Sequence, residues 1–349
     1  MAGLTFFRHP FKKSKNVRML GLLFGGITLV ITGTSPEAAV LVNRPVEPGG
    51  APTEVYVQAA LLDVDEVDAK AQSFTANFFL HARWKDARLA HKKGGELARF
   101  LREVWDPGFQ LLNQKRIFYT FPDIVKISPD GTIVYQQRIW GSFSQPMDLR
   151  EFPFDRHAFE IRIVAPSYGP DEVKWIPDPS RPSMLAPNLS LPDWKVESWR
   201  LDFSPYTPLP GFEPQSSFAF VFEAKRQAGF FLWKILFPLI FIVAMSWIVF
   251  WIDPELTGTQ ISVATTSMLT LIAYRFVIGQ LVPNVSYLTR MDYFILGSTV
   301  LVFSALLQAV VTGVLAKAKK IRSAQRMDRW CRILFPALFA GVLLYSFTF

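Results

Sequence analysis

Past Arg226 the chain changes solvent. Four apolar stretches, roughly 229–252, 260–281, 292–316 and 333–349, each come near the ~20 residues that cross a bilayer as a helix. Between the third and fourth lies the short stretch 317–332, where Lys317, Lys319, Lys320, Arg322, Arg326, Arg329 and Arg332 face one acid, Asp328. So basic a linker belongs in the cytoplasm. Four crossings then put the preceding domain and the C-terminus outside. Residues 1–39 point the same way: Arg8, Lys12, Lys13, Lys15 and Arg18 precede "MLGLLFGGITLVITG", too short for a comfortable span. This segment reads as a signal peptide cut near Ala38 or Ala39, an uncleaved anchor being the alternative. The expected product is a multi-pass cell-membrane protein in contact with lipid.

The formal charge of +8 is topological. The first 39 residues hold five cations and one acid, and 317–332 holds seven against one, so the remainder carries −2. That leaves no basic surface for nucleic acid. A single cysteine, Cys331, excludes an intrachain disulfide and a thiolate metal cluster, and nothing calls for a cofactor or a metal.

From about 53 to 225 short runs alternate apolar and polar residues. "FTANFFLHARW", "DGTIVYQQRIW", "FEIRIV" and "SFAFVFEA" are the clearest, punctuated by prolines and by Asp130-Gly131. The pattern predicts antiparallel strands in a β-sandwich or barrel. Only "GELARFLREVW" has a helical period. Residues 40–225 therefore read as an outer β domain, and 226–349 as a membrane domain of four helices.

The second span, "TGTQISVATTSMLTLIAYRF", is crowded with hydroxyls and small residues. Ser262, Thr266, Leu269, Ala273 and Phe276 fall on one stripe at helical spacing, with Thr259 below them. One reading is a helix packed by small residues inside a bundle. The other is a pore wall, in which hydroxyls replace part of an ion's hydration and an apolar ring gates by dewetting. A pore needs several copies around it.

In order along the chain, these residues resemble the pentameric ligand-gated ion channels, the Cys-loop receptor superfamily, in its prokaryotic branch. "WKDARL" (84–89) is similar to that family's W-x-D-x-R-L, and Trp105-Asp106-Pro107 to its W-x-P. "FPFD" (152–155) resembles the core of its signature loop, whose two cysteines are replaced here by Gln145 and Phe159. Arg226 stands where the family has an arginine before the first helix; Pro238 and Pro283 match prolines in that helix and after the pore helix. The resemblance implies a homopentamer, with a β-sandwich ligand-binding domain above four membrane helices. It also implies a pore lined by the second helix, Leu269 at its centre, passing monovalent ions. For a member of this branch the expected location is the bacterial inner membrane, with the sandwich in the periplasm.

Within that frame, Phe152, Pro153, Phe154 and Asp155 should press on the outer helix ends. Asp155 is expected to pair with Arg226, with Asp65 or Glu66 from "DVDEVD" as a third member, while His157 reads as a surface residue. Pro283 belongs to the same coupling region. The family's agonist site lies between neighbouring ectodomains. Its positions fall here on Phe79, Leu112, Pro166, Tyr168, Tyr206 and Phe212, so at least two of the family's aromatics are missing. A quaternary ammonium needs several π faces, so a choline-like agonist fits poorly, although a simpler amine remains open. Gating by protons through His81, His91 or His157 is the alternative. At the inner mouth, Gly258, Thr259 and Gln260 match neither the cation-type glutamate ring nor the anion-type arginine. Asp253 and Glu255 favour cations there.

A membrane-anchored enzyme is the competing class. H-E-x-x-H, G-x-S-x-G and a phosphate-cradling glycine loop are all missing, and an enzyme gives no reason for a hydroxyl stripe. A non-conducting ligand sensor of the same fold is the third reading.

Overall fold

The structure, a computed structural model, describes residues 42–45, 48–282 and 285–348. The expected signal segment and Pro283 lie outside them. Among the described residues, alternating side chains build two packed sheets. The larger contains β1 (Thr53–Asp68), β2 (Ser73–Lys85), β3 (Leu97–Phe100), β5 (Gln114–Tyr119), β6 (Ile124–Ile127), β7 (Thr132–Ser144), β9 (Val173–Pro177) and β10 (Met184–Leu185). Its order is β10-β1-β2-β7-β6-β3, with β9 also on β1 and β5 also on β7. The smaller sheet is β11-β12-β8-β4, formed by β4 (Gln110–Leu111), β8 (Arg156–Ala165), β11 (Trp194–Asp202) and β12 (Ser216–Arg226).

Aromatic rings join the sheets. Phe74 and Phe143 stack at 5.3 Å in the larger sheet, and Phe159 and Phe222 stack at 5.1 Å in the smaller. Phe74 meets the second pair edge-on at 5.3 and 5.7 Å, a preferred arrangement of ring quadrupoles. The Asp130-Gly131 turn sits where Gly131 takes φ 84°, with room for a Cβ denied by the Asp86 carbonyl at 2.5 Å.

Three local expectations need correction. "GELARFLREVW" is not an α-helix: Leu97 to Phe100 pair in register with Ile127 to Ile124, and Leu101–Glu103 make one tight turn. Cross-strand pairing outweighs the weak helical period there. "DVDEVD" is not a turn but the end of β1, still paired with β2 through Asp68↔Ser73. The basic stretch is not a linker: the last helix starts at Ile321, not near 333, leaving only 318–320 as the connection. Arginine and lysine are good helix formers, and their long stems let the charges reach headgroups.

Four helices long and apolar enough to cross a membrane follow: α1 (Gly229–Trp251), α2 (Thr257–Leu281), α3 (Arg290–Lys317) and α4 (Ile321–Thr348). Proline interrupts two of them. Pro238 in α1 leaves the Lys234 carbonyl without its helical partner, and the helix widens into a π-type turn over Leu232–Leu236. Tyr274 Oη of α2 is 3.1 Å from that carbonyl and donates at 2.9 Å to the next, of Ile235. Pro336 in α4 frees the Arg332 carbonyl, which accepts from Trp247 Nε1 of α1 at 3.2 Å. In lipid no water can serve instead, so each proline pins its helix to a neighbour. Trp247→Phe keeps an aromatic ring, smaller than the indole, and removes the donor. It should cost about 1 kcal/mol, read as a lower thermal midpoint in detergent.

Candidate functional site

Phe152, Pro153 and Phe154 dock on the outer helix ends. Phe152 is buried and meets Phe231 of α1 edge-on at 4.7 Å; Phe154 meets Phe347 of α4 at 5.9 Å. Pro153 is buried between them, and the Phe152–Pro153 peptide is cis. Just upstream, Leu149 N donates to Tyr287 Oη at 2.7 Å, and Arg150 lies over the Tyr287 ring at 5.1 Å. Arg290 N donates to the Arg150 carbonyl at 3.0 Å, and its guanidinium pairs with Glu151. Arg290 opens α3 behind a capping box, in which Thr289 and Asp292 satisfy each other's backbone N–H. One loop thus touches α1, the α2–α3 connection, the start of α3 and the end of α4. Phe231, Tyr287, Arg290 and Phe347 escaped the sequence reading, because nothing along the chain ties them to residue 152.

Asp155 and Arg226 meet at the centre of this contact. Arg226 donates from Nε to Oδ1 at 2.8 Å and from Nη2 to Oδ2 at 3.0 Å, a two-pronged pair with the residues 7 % and 2 % exposed. Arg226 N also donates to the Asp155 carbonyl at 3.0 Å, fixing the end of β12 to the loop. Aromatic faces surround the guanidinium, Trp194 at 4.2 Å, Phe152 at 5.0 Å and Phe231 at 5.9 Å. Burial alone would raise the Asp155 carboxyl. Hydrogen bonds from His157 and Arg226 outweigh it and hold the group below the usual carboxylate range.

The third member is His157, not Asp65 or Glu66. His157 Nε2 lies 2.9 Å from Asp155 Oδ2, and its ring packs 5.7 Å from Trp194. Its side chain is only 9 % exposed, so it is no surface residue. Asp65 instead accepts from Trp140 Nε1 at 2.7 Å, while Glu66 is exposed in register with Thr75. Both acids lie inside β1, Asp65 at a bulge between Val64 and Glu66, so neither is released to reach the loop. The overlooked signal was alternation: residues 155 and 157 point to one side of an extended chain.

On α2, Thr259, Ser262, Thr266, Leu269, Ala273 and Phe276 are all exposed, Leu269 and Phe276 by 66 % and 75 %. Gln260, Ala264, Ser267, Leu271 and Ile278 are the buried face instead. The stripe therefore does not pack this chain's own bundle. Thr266 Oγ1 donates to the Ser262 carbonyl and Thr270 Oγ1 to the Thr266 carbonyl, both at 2.8 Å. Asp253 and Glu255 are exposed just before α2, where Asp253 Oδ1 accepts from Glu255 N at 3.0 Å.

The candidate ligand residues divide. Leu112, Pro166, Tyr168 and Tyr206 collect around the smaller sheet. Leu112 N donates to the Arg162 carbonyl, Gln215 Nε2 to that of Pro166 at 2.9 Å, and Ser216 N to that of Tyr168 at 2.9 Å; Tyr206 bridges Gln215. Tyr168 is half-buried, its hydroxyl accepting from Trp105 Nε1 at 2.9 Å, so one face packs the core. Phe212 is 62 % exposed on its loop. Phe79 belongs to the other sheet and meets Phe121 at 6.4 Å. Exposed Phe118 and Trp140, paired on the face that carries Phe79, extend that second aromatic surface, which "RIFYTF" could have flagged. One chain holds two aromatic surfaces rather than one cage. Among the described residues, no three metal-ligating side chains gather.

Two family profiles match the chain in succession. One described as "Neurotransmitter-gated ion-channel ligand binding domain" covers residues 41–206, and one described as "Neurotransmitter-gated ion-channel transmembrane region" covers 235–330. They fall on the sandwich and on the helices, in the order that family has them. Ligand-gated channels are a non-enzyme class, and four spans make this a multi-pass membrane protein. The chain belongs to the neurotransmitter-gated, or Cys-loop, ligand-gated ion channel superfamily.

Proposed function

We propose that five copies enclose a pore lined by Thr259, Ser262, Thr266, Leu269, Ala273 and Phe276. A small molecule bound between neighbouring sandwiches would open it to passive ion flow, monovalent cations passing in preference to anions. One observation carries this reading: a membrane-length helix turns a hydroxyl-bearing stripe away from its own bundle. Lipid gives such a stripe no advantage, whereas water held between copies does. The split aromatic surfaces suit a site completed by a neighbour, Tyr206 and Phe212 from one copy facing Phe79 and Phe121 of the next. The Phe152–Asp155 loop, paired with Arg226, would carry the ligand's effect to the helix ends. The orientation in this proposal puts the sandwich in the periplasm of a bacterial inner membrane.

Gating by protons is the second reading, favoured by His157 lying against the buried Asp155. Currents of the full-length protein in liposomes separate the two. A panel of small amines is applied at constant pH, then a pH series without them. Current with an amine at neutral pH supports the first reading, and current on acidification alone supports the second. Saturable amine binding without current at any pH would make the protein a non-conducting sensor.

A further inference from the structure

The inner end of the bundle holds a buried acid that the coupling account does not use. Asp328 of α4 is 1 % exposed, among the described residues the buried acid of the four helices. Gln308 Nε2 of α3 donates to its Oδ1 and Gln260 Nε2 of α2 to its Oδ2 at 3.4 Å. Gln260, itself fully buried, also donates to the Ile252 carbonyl at 2.9 Å, and its Oε1 accepts from Thr312 Oγ1 at 3.2 Å. As the amides are placed, both carboxylate oxygens accept, and Gln308 Oε1 is buried without a partner of its own. Arg332, one turn further along α4, turns away: its Nε donates to the Phe250 carbonyl at 2.9 Å and its guanidinium lies 4.6 Å from Trp251, which is 57 % exposed. Among the described residues no Arg332–Asp328 ion pair closes within 4.0 Å. Arg332 is half-buried and held by the end of α1, while the acid faces α2 and α3.

Gln260 stands between Thr259 and Ser262, the inner end of the exposed stripe. Asp328 therefore lies directly behind the pore helix, roughly one helix diameter, ~10 Å, from the face that carries ions. A charge so placed is screened little, whereas exposed Asp253, Glu255 and the basic side chains of 317–329 are screened by water, salt and headgroups. We infer that Asp328 is a selectivity-determining residue: repeated in each copy, it forms a ring of fixed negative charge behind the inner pore wall and makes the pore prefer cations. The acid that the pore sequence itself lacks is supplied from α4, held toward α2 by Gln260 and Gln308. This inference rests on the channel reading above.

The test is the reversal potential of the agonist-opened, full-length channel in liposomes under a tenfold NaCl gradient. Wild type should reverse near the sodium potential. Asp328→Asn, which keeps the shape and lets Gln308 turn its amide so that the unpartnered Oε1 accepts from the new NH2, should lower the cation-to-anion permeability ratio roughly tenfold. Asp328→Glu should keep it. If Asp328→Asn fails to assemble, the double change Asp328→Leu with Gln308→Leu replaces the buried polar pair by apolar packing, a swap bundles tolerate, and should lower the ratio equally. A merely structural role would alter agonist sensitivity or thermal midpoint and leave the ratio alone. An unchanged ratio in either charge-removing variant overturns the inference. A wild-type reversal at the chloride potential overturns it too, while leaving the channel reading in place. No current from wild type under any ligand or pH fails the channel reading itself.

Discussion

Arg226→Ala is expected to abolish the agonist-evoked current and to lower the thermal midpoint of the assembled protein. The reason is Asp155. Its carboxylate is 2 % exposed and depends on the guanidinium for two of its hydrogen bonds. Removing one member of a buried pair costs about 3–5 kcal/mol, mostly because the other charge is left dry and unpaired. Removing both costs less. Asp155→Ala with Arg226→Ala should regain much of the lost thermal stability, yet still respond poorly, because the side-chain fork from the end of β12 to the docking loop is gone and one backbone bond remains. Arg226→Lys should fall between, keeping the charge but losing the planar fork and its stacking on Trp194. Ligand binding near wild-type strength in the double variant, together with lost current, would separate transmission from folding. A wild-type dose–response curve for Arg226→Ala contradicts the role. The pH dependence follows from the depressed Asp155 carboxyl. A group whose folded pKa is lowered contributes its stability above the ordinary aspartate value of about 3.9 and loses it as pH falls through the folded value. Acid unfolding below about pH 4 should therefore become shallower in the double variant.

The second large effect is expected at Leu269. It is 66 % exposed at the middle of the α2 stripe, with hydroxyls toward one end and Ala273 and Phe276 toward the other. If five such leucines form the narrow apolar ring, water leaves that segment in the closed state and ions cannot follow. Leu269→Ser wets the ring without crowding it. Standing current without any ligand should appear, with a lower agonist concentration for half-maximal response. The neighbouring change Leu271→Ser, on the buried face, should instead damage folding through an unpaired hydroxyl and a cavity. Equal phenotypes at 269 and 271 would argue that the stripe does not face a pore.

Much of this architecture was legible along the chain, and the reasons differ by element. The helices were read from apolar length alone, since a bilayer fixes how long an apolar run must be. The strands of "DGTIVYQQRIW" and "SFAFVFEA" were read from alternation, which one buried face imposes. The weak signals failed: "GELARFLREVW" had a helical period but followed its partner strand β6, and 317–332 looked like a linker because charge was weighed and helix propensity was not. At the site, Asp155 and Arg226 could be named because "FPFD" resembles the family's signature loop and Arg226 stands where the family has an arginine. His157, two residues from Asp155 on one side of an extended chain, was legible and missed, whereas Tyr287 and Arg290 could not be named, since their roles come from neighbours far away in sequence. Gln260, Gln308 and Asp328 are harder still. Each looks unremarkable in its own helix, and only packing brings the three together.

The central claim is that the exposed stripe of α2 lines water. The direct measurement is accessibility of single cysteines, placed one at a time at residues 259, 262, 266, 269, 273 and 276 and at the buried 264 and 271. Cys331 is first replaced by serine. A charged, membrane-impermeant thiol reagent is then applied to the open channel. The account predicts block of current at the six stripe positions and none at the two buried ones. Modification without that helical period, or current unaffected at all six, would contradict it.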